Sequence, residues 1–149
     1  MNLLRRLLGL KTGTEETSLD QGIPATSGEY ITQVSAGANL VDGKQTWEYA
    51  ETSKNNLEVM LRCCEAELKT MGAAQVVAAP FYFERAAILL HKAKQYDQEI
   101  AICERYVHAV EAYYSTEAQT YEADVRQGPR FKAIEARVTK ARLLRERAL

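Results

Sequence analysis

From Gln45 to the C-terminus the apolar residues recur three or four positions apart, a period that commits most of this chain to packed helices. Trp47, Ala50, Leu57, Leu61, Cys64, Leu68 and Met71 predict one amphipathic helix of about six to seven turns, with Gly72 placed to end it. Pro80 restarts the pattern, because proline lacks only an N–H that has no partner in a first helical turn. Phe83, Ala86, Ala87 and Leu90 form the stripe of that second helix. Tyr96, Ile100, Cys103, Val107, Val110, Tyr114 and Tyr121 form the stripe of a third, with a bend or break expected at Ser115-Thr116. Gly128-Pro129 closes it and opens a last helix carrying Phe131, Ile134, Val138, Ala141 and Leu144.

The first 44 residues read differently. Residues 1–10, MNLLRRLLGL, place Leu3, Leu4, Leu7 and Leu8 at helical spacing, so they can form a short amphipathic segment able to make weak membrane contact. Arg5 and Arg6 interrupt the apolar run, and no small-residue cleavage site follows, which argues against a signal peptide. Residues 11–44 hold five of the eight glycines together with Pro24 and many Thr and Ser, and read as a flexible or weakly structured linker. A small hairpin fits within it, with Tyr30–Val34 as one strand and Asn39–Val41 as the other. The expected organisation is therefore a 1–10 segment, an 11–44 linker, and an all-α domain over 45–149.

Within that domain the stretch PFYFERAAILLHKAKQYDQEIAICERYV, Pro80 to Val107, resembles a tetratricopeptide repeat. Phe83 falls at the first large position, Ala86 and Ala87 at the next pair, Leu90 at the aromatic position, and Lys94-Gln95-Tyr96-Asp97 at the turn. Ile100, Cys103 and Tyr106 fall on the core side of the second helix. Two departures stand out: Glu99 occupies the place of a small alanine, and Glu111 that of the closing proline. The first implies either a shifted helix crossing or a close contact supplied by Ala101. The resemblance covers one unit, about a fifth of the chain. It implies a helical hairpin flanked by an N-terminal and a C-terminal helix that cover its apolar faces.

The residues offer little catalytic chemistry. Cys63 and Cys64 are adjacent, so their side chains diverge by about 100° on a helix and make poor joint metal ligands. His91 and His108 have no neighbouring nucleophile or HExxH pattern, and no glycine-rich phosphate loop is present. Accordingly no catalytic residue, metal or cofactor is expected. An odd cysteine count without a secretory signal points to free thiols and a cytoplasmic setting.

Two surfaces suggest binding. Tyr82, Tyr106, Tyr113, Tyr114 and Tyr121 cluster around the hairpin, and tyrosine couples apolar area to a hydrogen-bonding tip. The last helix carries seven basic side chains against two acidic ones between Arg130 and Leu149, with Arg130, Arg137, Lys140, Arg142, Arg145 and Arg147 as a candidate basic patch. The expected function is a non-catalytic protein-interaction module, an adaptor or subunit that binds another protein or a second copy. The alternative is a nucleic-acid-associated protein that grips phosphate through the last helix. A net charge of only -1 gives no long-range attraction to nucleic acid, so that alternative rests on the local patch.

Overall fold

The computed structural model describes residues 22–116 and 123–149, and within them the chain is predominantly helical. The amphipathic reading of residues 1–10, most of the linker before Gly22, and Tyr121 lie outside the described residues. Helix α1 spans Ser27–Val34, α2 Tyr49–Thr52, α3 Leu57–Ala74, α4 Pro80–Lys92, α5 Tyr96–Tyr114 and α6 Pro129–Ala148. Two short strands, β1 Leu40–Val41 and β2 Lys44–Gln45, form an antiparallel hairpin between α1 and α2. Helix α4 lies at the centre, packed against α3, α5 and α6, while α5 and α6 pack closely along each other. The hairpin and α1 rest on α3.

The best-read elements are the ones with strong punctuation. Pro80 and Pro129 stand at the starts of α4 and α6. Phe83, Ala86, Ala87 and Leu90 are all buried, with Tyr106, Val110, Phe131 and Ile134 from α5 and α6 closing over them. At the centre the Phe83 and Tyr106 rings lie 4.4 Å apart, and the Tyr106 hydroxyl donates to the Ala78 carbonyl at 2.9 Å. Helix α4 ends in a tight reversal: Lys94 adopts a left-handed backbone (φ 57°), its N–H donates to the His91 carbonyl, and that of Gln95 donates to the Leu90 carbonyl. Helix α5 stops at Tyr114, so the break expected at Ser115-Thr116 is present.

Three expectations are corrected. Tyr30–Val34 is helical, because Thr26 and Glu29 form a reciprocal capping box that starts α1: Glu29 N donates to Thr26 Oγ1, and Thr26 N donates to Glu29 Oε2, each at 3.1 Å. The hairpin exists, but Leu40–Val41 pairs with Lys44–Gln45 across Asp42-Gly43, both of which take positive φ as a two-residue turn requires. The single helix read from Trp47 to Met71 is divided at Ser53–Asn56. There Asn56 caps α3 by accepting from Val59 N at 3.2 Å, and Arg85 of α4 clamps the break through the Lys54 carbonyl at 2.7 Å and Asn55 Oδ1 at 2.5 Å. The buried side of α3 is consequently Met60, Cys63, Cys64, Ala66 and Thr70, whereas Trp47 is 66% exposed. Gly72 lies inside α3, which ends after Ala74 with Gln75 in the left-handed conformation.

Candidate functional site

The tyrosines chosen from sequence are mostly core residues. Tyr82, Tyr106 and Tyr113 are buried, and the hydroxyls of Tyr106 and Tyr113 donate to the carbonyls of Ala78 and Gln75. They hold the segment between α3 and α4 and cannot offer a partner much surface. Tyr114 is half-buried. Its hydroxyl donates to the Ala123 carbonyl and accepts from Val125 N, and the Arg126 guanidinium stacks on its ring at 4.6 Å. Arg126 is itself tied to Asp124 and Glu111, so this cluster fastens the entry to α6 onto the end of α5.

The basic patch is largely matched by acids of the same chain. Arg130 meets Glu84, Arg137 meets Glu99, Arg142 meets Glu104, and Arg145 meets Asp97. These pairs stitch α6 to α4 and α5. Lys140 and Arg147, with Lys132, make no ion pair to a described residue.

Two carboxylates are placed where sequence reasoning gave them no role. Glu99, on the first turn of α5, is 1% exposed and sits between three helices. Its Oε2 lies 2.9 Å from His91 Nδ1 of α4, and its Oε1 accepts from Arg137 of α6 at 3.2 Å. A carboxylate only accepts, so the His91 ring carries its proton on Nδ1 in this arrangement. Ala101 is exposed, so it does not supply the close helix contact that the missing small residue implied. Glu99 instead joins α4 to α6 through two polar bonds.

Glu67, on the last turns of α3, is the second. Its Oε1 accepts from Thr46 Oγ1 at 2.7 Å and its Oε2 from Ala79 N at 2.9 Å, so it ties the turn after the hairpin to the segment leading into α4. Burial outweighs these two bonds and raises its carboxyl above the ordinary 4.5. Around it, burial pushes the Cys63 thiol up to about 11 and the Tyr82 phenol up to about 12.

The three cysteines are buried free thiols, and burial also drives Cys103 up to about 12, so none supplies a thiolate near neutral pH. Among the described residues no group of three or more His, Cys, Asp or Glu side chains converges as metal ligands would. An open hollow of about 530 Å³ beside α1 is lined by Ile23, Pro24, Glu29, Gln33, Gln45 and Glu48. Its two carboxylates already accept backbone N–H groups at helix starts. Among the described residues no helix is long and apolar enough to cross a membrane.

What remains is surface. Among the described residues the large hydrophobic side chains left exposed are Ile23, Tyr30, Val34, Trp47, Leu143 and Leu149, and four of these six lie on the N-terminal elements. Tyr30 and Val34 share the outer face of α1. Trp47 Nε1 donates to Gln45 Oε1 at 3.0 Å, and Gln45 fills the flank of α1 left open by Gly28, where a methyl group would lie 2.0 Å from that oxygen. Gly28 therefore lets the hairpin close on α1 and brings Trp47 beside it. No family model, curated protein or solved structure matches this chain.

Proposed function

We propose that this chain is a non-catalytic helical protein-interaction module, an adaptor or a subunit of a larger assembly, that meets its partner through the N-terminal elements. The observation that carries this reading is the exposure of Tyr30 (57%), Val34 (43%) and Trp47 (66%) on elements locked together through Gln45 and Gly28. Tyrosine and tryptophan are among the residue types most enriched at protein-binding hot spots. The carboxylates of Glu67 and Glu99 support it by a different route, since both are occupied in joining elements of the fold. The ion pairs of α6 weigh against phosphate binding, because four of the six candidate basic residues already face carboxylates. Three free thiols support a reducing compartment such as the cytoplasm.

The test replaces Tyr30, Val34 and Trp47 together with lysine and compares the variant with Leu143→Lys. Both keep the helical circular-dichroism spectrum and the melting temperature, because the altered side chains are exposed. The triple variant loses the complex, read as a second copy by light scattering or as a co-purifying protein. Leu143→Lys retains it. A wild-type chain that stays monomeric and captures nothing, or a triple variant that binds undiminished, overturns the reading.

A further inference from the structure

The face that carries Tyr30, Val34 and Trp47 borders the open hollow of about 530 Å³ beside α1. Ile23, Pro24 and Leu40 give that hollow its apolar lining, and Gln33 Nε2 donates to the Gly22 carbonyl at 2.8 Å, which ties the start of this segment to α1. Glu29 and Gln33, one turn apart, line the hollow from the side of α1 next to Tyr30 and Val34. Trp47 joins the same rim, because its indole is bonded to Gln45 and it precedes Glu48, both of which line the hollow. The two carboxylates are only half used. Glu29 Oε2 accepts from Ala25 N at 2.7 Å and from Thr26 N at 3.1 Å, and Glu48 Oε2 accepts from Gln45 N at 2.8 Å. Among the described residues neither Oε1 accepts a hydrogen bond, and neither carboxylate meets a cation. The surrounding elements carry the same sign: between Gly22 and Glu58 five acidic side chains stand against two basic ones, of which Lys54 is turned to Glu51.

We propose that the partner of this face presents a basic side chain, lysine or arginine, flanked by apolar ones. The cation enters the hollow toward Glu29 and Glu48, its stem lies against Ile23, Pro24 and Leu40, and the apolar neighbours cover Tyr30, Val34 and Trp47. This deepens the interaction reading above and rests on it. Charge selects the occupant. A second copy meeting the same face brings like charges together and loses affinity, whereas a basic segment gains attraction and a faster encounter. The apolar lining suits the same occupant, because lysine and arginine bury their stems while keeping their heads among polar groups. The ring faces of Trp47 and Tyr30 add a further attraction for a cation.

To test it, a random peptide library displayed on phage is panned against the full chain, and the enriched peptides are synthesised with a fluorescent label. They are expected to carry lysine or arginine beside aliphatic or aromatic residues. On binding they should shift the emission of Trp47, the chain's one tryptophan, and shield it from acrylamide. Their affinity should fall as salt rises. The double variant Glu29→Gln, Glu48→Gln keeps the backbone bonds without the charges and is expected to weaken the labelled peptide about fivefold by anisotropy. Enriched peptides without a basic residue, or an affinity indifferent to both salt and the glutamine pair, overturn the proposal. The interaction reading survives that result as long as the lysine variant of Tyr30, Val34 and Trp47 loses the peptide. Peptides that bind the lysine variant undiminished overturn both. A library that yields nothing able to shield Trp47, or a wild-type chain that buries Trp47 against its own copy, also overturns the basic occupant. The salt series and the Trp47 emission of the wild-type chain decide even if the glutamine pair fails to fold.

Discussion

Arg137→Met removes the guanidinium that faces Glu99, one of its two hydrogen-bond partners, and its cost follows from where the carboxylate is stranded. Glu99 is 1% exposed, so it cannot turn to water when Arg137 is lost and keeps only His91. Breaking a buried pair on one side costs about 3–5 kcal/mol, and the surviving His91 bond places this case near about 3. For a chain of this size that is a fall in Tm of roughly 6–12 °C. The reverse deletion is asymmetric. Glu99→Leu leaves His91 and Arg137, which are 28% and 25% exposed and free to rotate outward, so the expected cost is about 1 kcal/mol or less. The double variant Glu99→Leu, Arg137→Met should therefore recover most of the loss, a coupling that urea unfolding of the four chains at pH 7 measures directly. Equal costs for the two single variants, or simple additivity in the double, would refute the picture of a stranded carboxylate.

Other outcomes follow from particular residues. Lys94→Gly relieves a left-handed backbone at an exposed position and should stabilise the chain by about 0.5–1 kcal/mol, read as a small rise in Tm. Tyr106→Phe leaves the buried Ala78 carbonyl without its donor, and a loss of about 1–3 kcal/mol is expected in urea unfolding. Arg105 holds the Glu65 carboxyl below its ordinary 4.5, so this pair stabilises the fold above that pH and the contribution is lost as pH falls through the lowered value. Both side chains are about half exposed, so Arg105→Ala should remove under about 1 kcal/mol and flatten the acid limb of the stability curve. A gel-shift series at low salt should show no retarded nucleic acid, since Arg130, Arg137, Arg142 and Arg145 face acids of their own chain.

The helices bounded by Pro80 and Gly128-Pro129 were legible because proline and glycine act locally, and an apolar stripe three or four residues apart has one reading at that length. Tyr30–Val34 misleads because its short alternating run reads as a strand, whereas the Thr26–Glu29 capping box just before it starts a helix. The polar run Ser53-Lys54-Asn55-Asn56 is likewise a local helix-breaking signal inside the stripe from Trp47 to Met71. The site was less legible, for a physical reason. Periodicity says that Tyr106 and Tyr113 lie on one face of α5 but not whether a neighbouring helix covers it. The arginines of α6 looked like a free positive stripe because Glu84, Asp97, Glu99 and Glu104 reach them only through folding. Burial of Glu67 and Glu99 is also a tertiary property. No local pattern distinguishes them from the solvated glutamates around them.

The most direct measurement bearing on the proposed role is site-specific photo-crosslinking with a benzophenone side chain at position 47, compared with the same group at position 143 on α6. The N-terminal face predicts a discrete adduct, to a second copy or to one other protein, from position 47 and none from position 143. Adducts of equal yield from both positions, or none from position 47 in the folded chain, would contradict it.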